Sequence, residues 1–214
     1  MIITEKKEYK KILESLKGMD SIYVVGCGRC ATSCSTGGEE QVSDIVVRLK
    51  KDNRKIAGSY VIEAPCDERL VAKFSRAEKS KIDKAEALLV LGCGAGVQSV
   101  SDVIMLPAYP ALESIFLGKT KSLGRFYELC VMCGDCALEE TGGICPVARC
   151  SKHLLNGPCG GSHKGKCEVD ENLDCAWYLI FERLKELKQF DRIKKYQKPK
   201  DYSKSIRPRK VELR

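Results

Sequence analysis

The chain reads as an α/β fold: a small doubly wound parallel-sheet domain, then a glycine- and cysteine-rich module, then a C-terminal helix. Three observations predict it. Short continuous apolar runs alternate with amphipathic segments in the first half, eight cysteines crowd the stretch from Cys130 to Cys175, and an apolar stripe at helical spacing follows. The 214 residues and 43% hydrophobic content suit one good core plus a smaller module. The expected organisation is an α/β domain over 1–122, a cysteine-rich module with its packing helix over 123–190, and a basic arm, flexible or ordered by a partner, over 191–214.

The elements follow in order. Residues 1–18 read as a charged helix without a long apolar segment, as expected of a cytoplasmic chain lacking a secretory signal. Ser21 to Val25 is a β-branched and aromatic run, a first strand. Val42, Ile45, Val46 and Leu49 recur at helical spacing within 39–52. A second strand is expected from Ile56 to Ile62, a helix over 67–81 and a third strand from Ala87 to Leu91. A short helix should open at 97–101 before a last apolar run, Val103 to Leu106. Continuous apolar strands separated by helices imply a parallel sheet covered on both faces. The longest apolar stretch, around Ala87 to Val97, is too short and glycine-rich to span a bilayer.

Each strand is followed by cysteine. The first runs into Gly26-Cys27-Gly28-Arg29-Cys30, the second into Ala64-Pro65-Cys66, the third into Gly92-Cys93-Gly94. The carboxyl ends of parallel strands share one sheet edge, where ligands bind. If the first strand lies between the other two, Cys27, Cys66 and Cys93 can meet, with Cys30 or Cys34 as a fourth metal ligand. Glycines there permit close backbone approach and leave N–H groups for sulfur. Two other readings stand beside this one. Gly26-x-Gly28-x-x-Ala31 weakly matches a dinucleotide fingerprint, though Glu63 is too distant for the usual acid. The cysteines could also be inert core residues.

The second half opens with Cys130-Val-Met-Cys133-Gly-Asp-Cys136 and continues through Cys145-Pro146, Cys150, Cys159, Cys167 and Cys175. Three thiols at i, i+3 and i+6 converge on one centre if the backbone coils around it, as in a bacterial ferredoxin run. A disulfide framework conflicts with a reducing compartment and with an odd count of 13 cysteines. Zinc is the rival. Three cysteines in one run and a Cys-Pro pair favour iron–sulfur, while His153 and His163, the only histidines, leave a mixed zinc site open. The twelve candidate ligands, Cys27, Cys30, Cys66, Cys93, Cys130, Cys133, Cys136, Cys145, Cys150, Cys159, Cys167 and Cys175, would serve two or three [4Fe-4S] clusters, with zinc open in one site.

Residues 125–170 hold many glycines and few large apolar side chains, so metal–thiolate bonds are expected to order them. Leu173, Ala176, Trp177, Ile180, Phe181, Leu184 and Leu187 form the stripe of a closing helix, with Asp174 or Asn172 as a candidate cap and Trp177 as core.

The net charge of +8 is local. Residues 191–214 carry ten Lys/Arg against three Asp/Glu, leaving the rest near neutral. Such an arm is solvated or docks on an acidic partner; the folded part shows no aromatic-interleaved basic face for nucleic acid. The different-class alternative is a zinc-stabilised interaction or nucleic-acid-binding module with no redox role.

Glu128-Leu-Cys-Val-Met-Cys-Gly-Asp-Cys136, Thr141-Gly-Gly-Ile-Cys-Pro-Val-Ala-Arg-Cys150, Leu154-Leu-Asn-Gly-Pro-Cys-Gly-Gly161, Gly165-Lys-Cys167 and Cys175-Ala-Trp177 resemble the cysteine-rich domain that accompanies methylenetetrahydrofolate reductase in acetogenic and related anaerobic bacteria. There it is usually a separate small subunit of the MetV type. Cys27-x-x-Cys30-x-x-x-Cys34-Ser-Thr-Gly-Gly38 extends the likeness at lower specificity. The resemblance implies an accessory electron-transfer subunit of the Wood–Ljungdahl methyl branch. Its partner would be a TIM barrel holding FMN, which reduces 5,10-methylenetetrahydrofolate to 5-methyltetrahydrofolate. Electrons would come from a ferredoxin, a heterodisulfide-reductase-like complex or another donor. A non-catalytic role agrees with the sequence, in which no flavin-phosphate or folate site, triad or paired-carboxylate motif is found.

Overall fold

The computed structural model describes residues 1–212; Leu213 and Arg214, the end of the predicted arm, lie outside the described residues. The chain divides into two compact units, Met1–Phe126 and the remainder from Tyr127.

The first unit runs β1 (Ile2–Lys6), α1 (Tyr9–Ser15), β2 (Ser21–Cys27), α2 (Cys30–Ser33), α3 (Glu39–Lys51), β3 (Lys55–Ile62), α4 (Glu68–Ala77), α5 (Lys79–Ile82), β4 (Ala87–Leu91), α6 (Gly94–Val103), β5 (Ala108–Pro110) and β6 (Leu112–Ser122). A final strand, β7 (Arg125–Glu128), leads out of it. Four strands form a parallel sheet in the order β3-β2-β4-β5, so β2 is central, with Cys27 beside Ile62 and Gly26 beside Leu91.

Burial on both faces explains the continuous apolar runs of β2 and β4. Successive side chains point to opposite faces. Ile22, Val24, Leu89 and Leu91 pack with Ile12 and Leu16 of the α1 region and Val42, Ile45 and Leu49 of α3. Tyr23, Val25, Leu88 and Val90 pack with Val71 and Phe74 of α4, Ile82 of α5 and Val100 of α6. The strand β3 is an edge, with Lys55, Ser59 and Tyr60 exposed. Close approach at the carboxyl edge needs Gly37, where a Cβ would fall 2.1 Å from the Leu91 carbonyl oxygen.

Three expectations need correction. Residues 1–18 are not one charged helix: Ile2–Lys6 is a strand, paired antiparallel with β6 from Ile2↔Leu117 to Lys6↔Leu112, and only Tyr9–Ser15 is helical. The pairing buries Ile3 and Thr4 while Glu5 and Lys6 stay exposed, a pattern too short to tell from a helix. With β7 these strands make a second sheet, β1-β6-β7, absent from the sequence reading. The apolar run Val103 to Leu106 closes a helix that spans Gly94–Val103, longer than the expected 97–101, and the next strand is Ala108–Pro110. The expected 67–81 helix is two helices, with Glu78 capping α4 at its C-terminus.

The second unit is mostly turns. It holds α7 (Pro146–Arg149), α8 (Ala176–Glu186) and two 3₁₀ turns, Phe190–Lys194 and Tyr202–Ser205. Its core is small: Ile144, Cys175, Trp177, Ile180 and Leu184, with Cys150, Leu154, Leu179 and Ile193 packed against them. Neither Asp174 nor Asn172 caps α8; Cys175 holds the N-cap position without a side-chain bond. Leu173, Phe181 and Leu187 are exposed, so the stripe buries a narrower face than its apolar residues suggest.

Candidate metal-binding sites

The central position of β2 satisfies the condition for bringing three cysteine loops together. Cys27 ends β2, Cys66 lies just past β3, and Cys93 is the N-cap of α6 just past β4. The loops touch. A Cβ built on Gly92 would lie 3.7 Å from Pro65 Cγ and 3.8 Å from Cys27 Cβ, and one on Gly96 would lie 3.1 Å from Pro65 Cγ and 3.8 Å from the Cys66 nitrogen. Cys27 and Cys93 are buried, Cys30 is half-buried at the start of α2, and Cys66 is exposed.

The other three thiols act electrostatically on Cys66. Partial desolvation pushes the Cys66 thiol up, and the charges of Cys93, Cys27 and Cys30 push it further, against the opposing pull of a backbone hydrogen bond. Gathered thiolates repel one another, and a bound cation reverses that penalty. The donor chemistry, though not a formed group, is that of a thiophilic metal. Cys34 stands apart, its Sγ 4.0 Å from the Ile2 carbonyl oxygen.

The dinucleotide reading loses its cradle here. The N–H of Cys27 donates to Gly37 O and that of Gly28 to Ile62 O, so neither is free for a pyrophosphate. The following helix, α2, has four residues. Arg29 and Glu63, on the loops after β2 and β3, form an exposed ion pair.

In the second unit, the run from Cys130 to Cys136 coils through two left-handed residues, Met132 at φ 53° and Gly134 at φ 76°. The Met132 N–H donates to Cys130 Sγ at 3.3 Å, and the Ala148 N–H donates to Cys145 Sγ at 3.4 Å. Cys167 is held below the usual thiol range, first by the Val169 N–H, then by the Ser151 hydroxyl, the Asp170 N–H and the charge of Lys152. Amide donors aimed at sulfur favour thiolate, the form that binds metal.

A cavity of about 20 Å³ has Cys150, Cys159, Cys167 and Cys175 together in its wall, beside Trp177. Trp177 is a core residue, and its Nε1–H donates to Leu154 O at 2.9 Å. His153 donates Nδ1–H to Val147 O at 2.5 Å, while His163 exchanges backbone bonds with Lys166. Among the described residues no three His, Cys, Asp or Glu side chains stand as a group that could hold a metal ion, and all thirteen cysteines are free.

The sequence did not reveal the engagement of the basic arm with the cysteine run. Lys200 Nζ donates to Asp135 O, Lys204 Nζ reaches Asp135 Oδ1 at 3.2 Å, and the Asp201 N–H donates to Asp135 Oδ2 at 3.3 Å. Arg209 donates to Met132 O at 2.8 Å, and Lys195 pairs with Glu140. The only signal was opposite charge: an acid inside the run and lysines in the arm.

Residues 109–203 match the family model described as Methylene-tetrahydrofolate reductase C terminal. The match takes in all eight cysteines from Cys130 to Cys175 and the first half of the arm, and it supports a protein related to methylenetetrahydrofolate reductase. No curated protein and no solved structure matches the chain. No described helix is long and apolar enough to cross a membrane.

Proposed function

We propose that this chain is an accessory iron–sulfur electron-transfer subunit of a methylenetetrahydrofolate reductase, of the MetV type and cytoplasmic. It passes electrons between an external donor, a ferredoxin or a heterodisulfide-reductase-like complex, and the FMN of a separate TIM-barrel catalytic subunit. The observation that carries this reading is the coincidence of the family match with the eight-cysteine segment.

A bound cluster would supply one-electron storage at a potential set by its ligands, hydrogen bonds and burial. The chain's own residues do the rest. Cys27, Cys30, Cys66 and Cys93 would hold one centre at the sheet edge, and the eight later cysteines the others. The N–H groups of Met132, Ala148 and Val169 donate to thiolate sulfurs, which raises the potential of a centre by withdrawing electron density. Burial of Cys27, Cys93 and Cys175 limits water at three of the ligands.

The nucleic-acid alternative loses support from the arm's own contacts. Lys194, Lys195, Lys204 and Lys210 each pair with a carboxylate of this chain. The direct test is rapid mixing of the chemically reduced, desalted chain with an FMN-loaded catalytic subunit under anaerobic conditions. Flavin absorbance should bleach on mixing. An unchanged flavin spectrum, with the two proteins shown to associate, would reject the electron-transfer role.

A further inference from the structure

We infer that Cys150, Cys159, Cys167 and Cys175 are the four ligands of one metal centre, and that Cys130, Cys133, Cys136 and Cys145 form another. This rests on the metal-binding part of the proposed function and adds to it the division of the ligands.

The first set is assembled by four segments that meet at the small cavity. A tight hairpin holds Cys167 and Cys175 together: the Cys167 N–H donates to Leu173 O at 2.9 Å, the Cys175 N–H to Gly165 O at 2.8 Å, and Lys166 bridges to both His163 and Asp174. Ser151 Oγ lies 3.7 Å from Cys167 Sγ, which brings the chain after Cys150 to the hairpin. Lys152 pairs with Glu168 across the same gap. The Cys159 loop closes the remaining side, since a Cβ on Gly161 would run into the Glu168 side chain. Cys150 and Cys175 also share the core around Trp177.

The second set follows by remainder. Turns at Ala137–Glu140, Leu138–Gly143 and Thr141–Ile144 compact the chain between Cys136 and Cys145. The Cys145 side chain is then fixed by the Ala148 N–H at 3.4 Å. In two-cluster ferredoxin runs the cysteine preceding proline serves the other cluster. Here Cys145 is absent from the wall of the four-cysteine cavity, so it stays with Cys130, Cys133 and Cys136.

The shared chemistry is tetrathiolate ligation. A cavity of about 20 Å³ admits one water-sized body, so the thiols move outward for an iron–sulfur cube and inward for a single zinc. Metal and acid-labile sulfide counts distinguish the two, and the division of ligands is the same for both.

The test uses the full chain prepared without oxygen. Graded removal of metal by a chelator, followed by iodoacetamide labelling and peptide mass spectrometry, should expose cysteines in correlated quartets, with Cys150, Cys159, Cys167 and Cys175 gaining label together. In Cys159→Ser the other three of that set should become reactive while Cys130, Cys133, Cys136 and Cys145 stay protected; Cys136→Ser should do the reverse. The double variant Cys159→Ser/Cys167→Ser should lose no more metal than Cys159→Ser alone, whereas Cys136→Ser/Cys159→Ser should lose two centres' worth. Label appearing on Cys145 together with Cys159 and Cys167, in the wild-type series or in a variant, would overturn the division while leaving a metal protein. A chain that carries no metal would overturn the division and the proposed function together.

Discussion

The two units hold cysteines in physically different ways. In the first, a parallel sheet with an apolar core on each face is complete without them, and Cys27, Cys66 and Cys93 are delivered to its edge by strand ends. In the second, the core is a handful of side chains around α8, Cys175 and Cys150 belong to it, and most of the backbone is turns. A scaffold that folds through apolar burial can gain or lose a metal at its rim. A module of little apolar surface needs metal as part of its folding.

The largest expected effect follows from this difference. Cys133→Ser should unfold the 128–170 segment locally, because metal binding in small metal domains is worth about 10 kcal/mol or more. Limited proteolysis should cut that segment rapidly while the first unit resists. By contrast, Cys66→Ser should cost the first unit its metal and leave its circular dichroism and thermal transition nearly unchanged. Equal resistance of the two variants would erase the distinction.

A core substitution sharpens it. Ile180 is fully buried in the small cluster, and Ile180→Ala should cost about 2–5 kcal/mol. In the second unit that loss should also weaken metal retention, measured as faster loss of iron to a chelator. Leu89→Ala, fully buried in the sheet core, should cost a similar amount without releasing metal from the eight later cysteines.

What the sequence could show divides along the same line. Ser21–Cys27 and Ala87–Leu91 were legible because two-sided burial writes uninterrupted apolar runs, and three strand-end cysteines followed from them. The strand Ile2–Lys6 was not, because it pairs with residues more than a hundred positions away and carries charge on its exposed side. In the second unit the cysteines were plain but which of them the fold brings near one another was not. Positions such as Met132, His153 and Lys164 take left-handed backbone without being glycine, and the hairpin joining Cys167 to Cys175 has no periodic signature.

A smaller effect is expected at the arm. Truncation after Tyr196 removes Lys200, Asp201, Lys204 and Arg209 from Asp135 and Met132. Exposed ion pairs contribute about 0–1 kcal/mol each, so the unit should stay folded. Amide exchange at 132–136 should rise several-fold, and capture of the flavin-containing partner should weaken. Unchanged exchange would detach the arm from the cysteine run.

The smallest effect lies in the sheet. Tyr23 is buried and donates its hydroxyl to Glu78 at 2.8 Å; burial, followed by that bond, raises the phenol far above its usual range. The Glu78 carboxyl is lowered, first by its bond to Lys81 and then by Tyr23. A lowered carboxyl stabilises the fold above its unfolded value, and the gain is lost as pH falls through the folded value. Tyr23→Phe should therefore cost about 1 kcal/mol at neutral pH, and less in acid, as read from urea midpoints.

The central claim is best tested by iron, zinc and acid-labile sulfide analysis of the full chain purified without oxygen, with its visible spectrum recorded before and after reduction. The account predicts a brown protein with iron and sulfide in near-equal amounts, enough for two or three four-iron clusters, and a broad visible absorption that bleaches on reduction. A colourless protein filled with zinc and free of sulfide would contradict it.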